Sequence, residues 1–210
     1  MSRYYNNKII DFEMKGWKCD LPLVKFMENE NNKNKLLDKN SKQIYNGKYD
    51  PWNYKVNEQY LVNKWILQDD TVLEISPDIG IVSLTINSRL RVKEHHTVIE
   101  ENSDIIKVLE NNKEKFHAKF KIYNQPITKK IINNKLKYNV LVVNGNICIL
   151  DILNTNPDLI EYLELLIFNI LVCDIDKLDN ILTKNNFILR DGLFNEYENS
   201  LPYIFQVWSK

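Results

Sequence analysis

Beyond residue 55 the apolar residues fall into short runs that alternate with longer amphipathic stretches. TVLEI (71–75), HTVIE (96–100), NVLVV (139–143) and LLIFNILV (165–172) are dominated by β-branched and other apolar residues. Runs of that length and composition predict strands buried on both faces. VNEQYLVNKWIL (56–67) sets Tyr60, Leu61, Lys64 and Trp65 at helical spacing, and GIVSLTINSRL (80–90) predicts a second helix. SDIIKVLENNKEK (103–115) predicts a third, with Ser103 as its N-cap. AKFKIYN (118–124) alternates as a strand does, and PITKKIINNKLKY (126–138) reads as a hairpin turning at Asn133 and Asn134. PDLIEYLE (157–164), with Pro157 in its first turn, and DIDKLDNILTKNN (174–186) are helical, and FILRDG and YIFQVWSK supply two last strands.

Strands alternating with helices imply a mostly parallel sheet covered by helices on both faces. The last two strands suit an antiparallel hairpin at one edge. The expected organisation is a partly flexible N-terminal arm over 1–55 and an α/β domain over 56–210. MENENNKNKLLDKNSKQ (27–43) is polar and aperiodic, and the aromatics around it (Trp17, Tyr45, Tyr49, Trp52, Tyr54) suit docking of the arm on the domain.

Composition narrows the picture further. Lys+Arg and Asp+Glu both number 28, a balance that points away from a dedicated nucleic-acid or anionic-membrane binder. No CxxC pair occurs among the three cysteines (Cys19, Cys148, Cys173), so reduced thiols are expected and no metal site is suggested. The N-terminus lacks an apolar signal core and no run approaches a membrane span, so a soluble, cytoplasmic, non-secreted protein is expected. Oligomeric state is not legible.

In an open α/β sheet the ligand sits beyond the carboxyl ends of the strands, so residues there carry the chemistry. The first strand runs into Glu74-Ile75-Ser76-Pro77-Asp78-Ile79-Gly80, a tight turn leading into a helix. Such a turn lets backbone N–H groups approach a ligand closely. The second strand ends at Glu100, 20 residues after Gly80, where an acid is suited to accept hydrogen bonds from both hydroxyls of a ribose. A turn holding one glycine, and that preceded by Pro77, disfavours a dinucleotide-binding dehydrogenase. His95, His96 and His117 precede strands at their amino ends and read as surface or strand-start residues.

The ordered set NEQYLVNKWILQDDTVLEISPDIGIVSLTINSRL, HTVIEENSDIIKVLENN, YNVLVVN and LELLIFN resembles the FkbM-type S-adenosylmethionine-dependent methyltransferases, in the compact form of large DNA viruses. The likeness spans residues 56 to 210. It implies a Rossmann-like class I methyltransferase fold with a seven-stranded sheet, S-adenosyl-L-methionine as cofactor, and O-methylation of a sugar or glycan hydroxyl. It also implies a small-molecule or glycan acceptor, with neither nucleic acid nor membrane as partner. By match of position, Glu74 would face the methionine end of the cofactor and Glu100 would hold its ribose. Ser76, Asp78, Gly80 and Asn102 complete the implied cofactor set.

Several positions depart from that family. Ser76 replaces the glycine after the strand-end acid, and Asp78 stands where an asparagine is usual. Asn144-Gly145-Asn146 replaces an Asp-x-Glu-Gly pattern after the fourth strand, and Asn169 stands where viral relatives often have an acid. An amide hydrogen-bonds but cannot act as general base. No catalytic residue is assigned; Asn144, Asn146, Asp151 and Asp174 are the candidates on the carboxyl-end face. The alternative reading is a catalytically inactive pseudo-methyltransferase kept as a binding or structural module.

Overall fold

The structure is a computed structural model that describes residues 55–126, 137–145, 147–169, 173–195 and 203–210. The expectations for the arm, for the turn of the 126–138 hairpin and for Asn146 lie outside the described residues. The chain runs α1 (Val56–Trp65), β1 (Val72–Ile75), α2 (Ile81–Arg89), a 3₁₀ turn (Lys93–His95), β2 (His96–Glu100), α3 (Ser103–Lys115) and β3 (Lys121–Asn124). It continues with β4 (Val140–Val143), α4 (Ile149–Thr155), α5 (Leu159–Tyr162), β5 (Leu165–Asn169), α6 (Ile175–Lys184), β6 (Ile188–Asn195) and β7 (Tyr203–Ser209).

The strands form one seven-stranded sheet in the order β3-β2-β1-β4-β5-β7-β6. β1 to β5 are parallel, and β7 pairs antiparallel to both β5 and β6. Burial explains why the central strands read as continuous apolar runs. Alternate residues enter opposite cores, since neighbouring Cβ atoms point to opposite faces. Val72, Val98, Val140, Val142 and Ile167 pack with Leu61, Val82, Ile86 and Leu109 from α1, α2 and α3. Leu73, Ile75, Ile99, Leu141 and Phe168 pack with Ile149, Leu153, Leu178 and Leu182 from α4 and α6. α1 is also tied to the antiparallel edge: Asp191 accepts from Lys64 Nζ at 2.8 Å and Trp65 Nε1 at 2.9 Å.

Several local expectations are corrected. Asn102, not Ser103, caps α3: its Oδ1 accepts from the N–H groups of Asp104 and Ile105, which frees Ser103 to be the first helical residue. The strand predicted over 118–124 is confined to β3, and the helix predicted over 157–164 shrinks to α5. α4 is an additional helix, which its shortness and its place within one apolar stretch with β4 concealed. Cys148 and Cys173 are not separate thiols but are paired as a disulfide, with Cα atoms 5.1 Å apart. They are distant in sequence, but parallel pairing of β4 with β5 brings the two strand-to-helix turns side by side. Among the described residues no helix is long and apolar enough to cross a membrane.

Candidate cofactor and acceptor site

Strand order reverses between β1 and β4, and the chain leaves the two strands toward opposite faces. α2 follows β1 on one face and α4 follows β4 on the other. A crevice at the carboxyl ends results, the usual ligand position in such sheets.

On the β1 side the turn carries three left-handed residues at alternate positions: Ser76 (φ 56°), Asp78 (φ 57°) and Gly80 (φ 89°). Only the last is glycine. The neighbours hold this shape in place. The Ser76 N–H donates to the Ile99 carbonyl at 3.0 Å, and the Gly80 N–H donates to the Pro77 carbonyl at 3.2 Å. From α3, the buried Asn112 side chain donates to the Ile79 carbonyl at 2.9 Å. Gly80 lies against the Leu109 side chain so closely that a Cβ there would collide with it. Lys55, ahead of α1, stands 3.5 Å from Asp78.

Glu100 closes the other side of this pocket floor. It is buried, and its Oε1 accepts from the Asn102 N–H at 2.9 Å. Burial holds its carboxyl above the ordinary carboxylate range against the pull of backbone N–H groups, and the negative charges of Glu101 and Asp78 add to the rise. Glu58 is also raised, first by burial and further by Asp78, with Lys55 opposing. Asp78 thus lies within electrostatic reach of both acids, and the β1 turn, the β2 end and the start of α1 converge.

Glu74 is placed differently from the sequence expectation. It is fully buried; its Oε1 accepts from Asn144 Nδ2 at 2.7 Å, and its Oε2 lies 3.1 Å from His96 Nε2. Glu74 thereby links β1, β2 and the end of β4. His96 is no surface residue: it opens β2 with its ring wholly buried. Its Nδ1 is buried without a hydrogen-bond partner. A ring protonated on Nε2 donates to Glu74 and leaves only a lone pair unpaired, whereas the other neutral tautomer would bury an unpaired N–H. Nothing in the sequence marked this triad except the acid itself, because cross-strand register decides who meets it.

Of the remaining candidates, Asn144 is buried against Glu74, and Asn169, also buried, ends β5. Gly145 adjoins Ser76, so the β4 turn touches the β1 turn. Asp174 caps α6, accepting from the Lys177 N–H at 3.1 Å, and Asp151 is exposed in the first turn of α4. Asn102 is spent as a helix cap, although its backbone positions Glu100.

This sheet order, with an acid-bearing turn after β1 and a buried acid ending β2, defines a Rossmann-like methyltransferase, and S-adenosyl-L-methionine is its cofactor. Residues 26–148, more than half of the chain, match the family model "Ribosomal RNA adenine dimethylase", and the chain belongs to that family. A search among curated proteins finds no match. Solved structures share the fold. One is a candidate tRNA (m1A22) methyltransferase of Streptococcus pneumoniae in complex with S-adenosyl-L-methionine, 17% identical over 73% of this chain and 72% of that one, TM-score 0.59. M. capricolum TrmK with S-adenosyl-homocysteine is 16% identical over 72% and 67%, TM-score 0.57. A ribosomal protein L11 methylase from Lactobacillus delbrueckii subsp. bulgaricus is 15% identical over 74% and 77%, TM-score 0.55.

The family match replaces the FkbM resemblance, and with it the sugar or glycan acceptor. The expectation that nucleic acid is no partner is also overturned, since the family is one of RNA methyltransferases. The resemblance misled because the quoted stretches lie largely in the sheet and the cofactor turn, which class I methyltransferases share whatever they methylate. Net charge misled because it sums over the whole chain, whereas a nucleic-acid surface is a local property.

Proposed function

We propose that this protein is an S-adenosylmethionine-dependent N-methyltransferase acting on an adenine base of RNA. The match to the rRNA adenine dimethylase model over 26–148 carries the reading. In it the cofactor lies over the β1 turn, with Ser76, Asp78 and Gly80 bringing backbone toward it and Glu100 accepting from the ribose hydroxyls. The residues fit that ligand: the left-handed positions open the turn, and a buried carboxylate ends the adjacent strand. Glu74 acts through Asn144 rather than on the cofactor directly.

The asparagines are deficits only if a hydroxyl must be deprotonated. An exocyclic amine attacks as the neutral nitrogen, and the methylated, positively charged nitrogen then sheds its proton to water. Neutral amide acceptors near the β4 and β5 ends, at Asn144 and Asn169, are compatible with that chemistry, and orientation supplies much of the acceleration. The pseudo-methyltransferase reading therefore loses its motive.

The test has two stages. Calorimetry should show S-adenosylmethionine and S-adenosylhomocysteine binding, and Glu100→Ala should weaken both by roughly 10- to 100-fold, the worth of hydrogen bonds to a charged group. Methyl transfer to protein-free ribosomal and transfer RNA, followed by nucleoside mass spectrometry, should then yield N-methylated adenosine. Absence of cofactor binding at millimolar concentration would sink the reading, as would methylation confined to ribose or to another base.

A further inference from the structure

The disulfide occupies a particular place in this site. Cys148 is the N-cap residue of α4, at the end of the turn that leaves β4. Cys173 immediately precedes Asp174, the N-cap of α6, in the turn that leaves β5. Both side chains are half-buried at the edge of the core formed with α4 and α6. The bond spans 25 residues and joins two successive strand-to-helix turns across a Cα separation of 5.1 Å, inside the range that needs no backbone movement.

Those turns lie across the switch point from the β1 turn and Glu100. The β4 turn holds Asn144, bonded to Glu74, and Gly145, against Ser76. A cross-link at Cys148 therefore restrains a segment that touches the cofactor turn at one end and the β5 turn at the other. An acceptor reaching the carboxyl end of β4 must pass these turns. The bond fixes their separation, and its cleavage releases it.

We propose that Cys148 and Cys173 form a thiol–disulfide switch on the acceptor side of the site, in which the dithiol form turns over and the disulfide form is closed to acceptor. The inference rests on the RNA N-methyltransferase reading for the identity of the acceptor, but not for the existence of the switch. The oxidant is a low-molecular-weight disulfide. One cysteine thiolate attacks it and displaces one small thiol, giving a mixed disulfide. The second cysteine thiolate attacks the protein sulfur of that mixed disulfide and displaces the second small thiol. One protein S–S bond forms, two S–H bonds are lost, and the two released thiols carry away the protons and electrons.

The experiment uses the full chain with Cys19→Ser, to exclude the third thiol, poised with either glutathione disulfide or a phosphine reductant. Mass spectrometry of alkylated digests should find the Cys148–Cys173 cross-link only in the first. Cofactor affinity should differ less than twofold between the two forms. Methyl transfer to RNA should be at least tenfold slower in the oxidised form and recover on reduction. Cys148→Ser and Cys173→Ser should each be active and indifferent to oxidant. Hydrogen exchange of peptides covering 140–150 and 165–176 should be slower in the oxidised form, a readout that requires no substrate.

Failure to form the cross-link overturns the switch, as does equal transfer in both forms, faster transfer when oxidised, or unchanged exchange. Absence of transfer in both forms, with the exchange difference present, instead refutes the RNA reading and leaves the two-state turn established.

Discussion

Ser76→Gly should stabilise the protein, contrary to the usual effect of introducing glycine. Ser76 sits at φ 56° in the β1 turn. A left-handed conformation costs an L-residue about 1–2 kcal/mol relative to glycine. Against this, glycine gives the unfolded chain extra freedom, a loss of about 0.4–1 kcal/mol. The net gain is about 0.5–1 kcal/mol, or roughly 1–4 °C in Tm for a chain of this size. Ser76→Ala is the informative partner, because it removes the hydroxyl and keeps the strain. If the reasoning holds, calorimetric Tm rises for the glycine variant and not for the alanine variant. A fall in Tm with both would mean that the hydroxyl, not the backbone, decides what occupies this position. The same result would remove the argument that the turn has kept its shape while losing its glycines.

The other expectations concern the residues around that turn. Gly80→Ala should cost about 2–4 kcal/mol in denaturant melts, since it combines a left-handed φ of 89° with a clash against Leu109. Glu74→Ala should cost about 3–5 kcal/mol, because it strips partners from the buried His96 and Asn144 side chains. Glu58 and Glu100 both titrate above the ordinary carboxylate range when folded. Between the unfolded and the raised folded values the native chain binds more protons, so their contribution favours folding below that window and is lost as pH rises through it. Cofactor binding should show the opposite slope, weakening on acidification as Glu100 protonates, and Glu100→Gln should flatten that dependence in a calorimetric pH series.

What was legible in the sequence follows from which contacts are local. Strands β1, β2, β4 and β5 were readable because a strand buried on both faces must be apolar along its whole length. Helix α3 was readable in extent, but its cap was displaced by one residue. Either Asn102 or Ser103 can cap a helix, and only backbone geometry shows that the Asn102 oxygen reaches two N–H groups. The His96–Glu74–Asn144 triad was illegible for a different reason. Its members come from three strands, and they meet only because Val72 pairs with His96 and Glu74 with Val142. A histidine at the amino end of a strand looks remote from the site until the register is known.

The cofactor half and the acceptor half of the site differ in the same way. A class I turn needs three backbone positions of one handedness and an acid on the next strand, and both requirements leave marks at fixed spacing. This chain meets the first with Ser76 and Asp78 in place of two glycines, so glycine count understates the turn, whereas position within it does not. The acceptor half leaves no comparable mark. Asn144 was read as a lost carboxylate because the comparison was with enzymes that deprotonate a hydroxyl. Beside a buried Glu74 that already carries the charge, an amide is the residue that can donate to it, and a second carboxylate there would place two negative charges together. Asn144→Asp therefore tests the point: it should weaken folding near neutral pH and recover on acidification, as expected when two adjacent carboxylates cannot both ionise. If the variant is as stable as the parent across that range, Glu74 does not hold its charge in the folded protein, and the electrostatic account of the β4 turn fails.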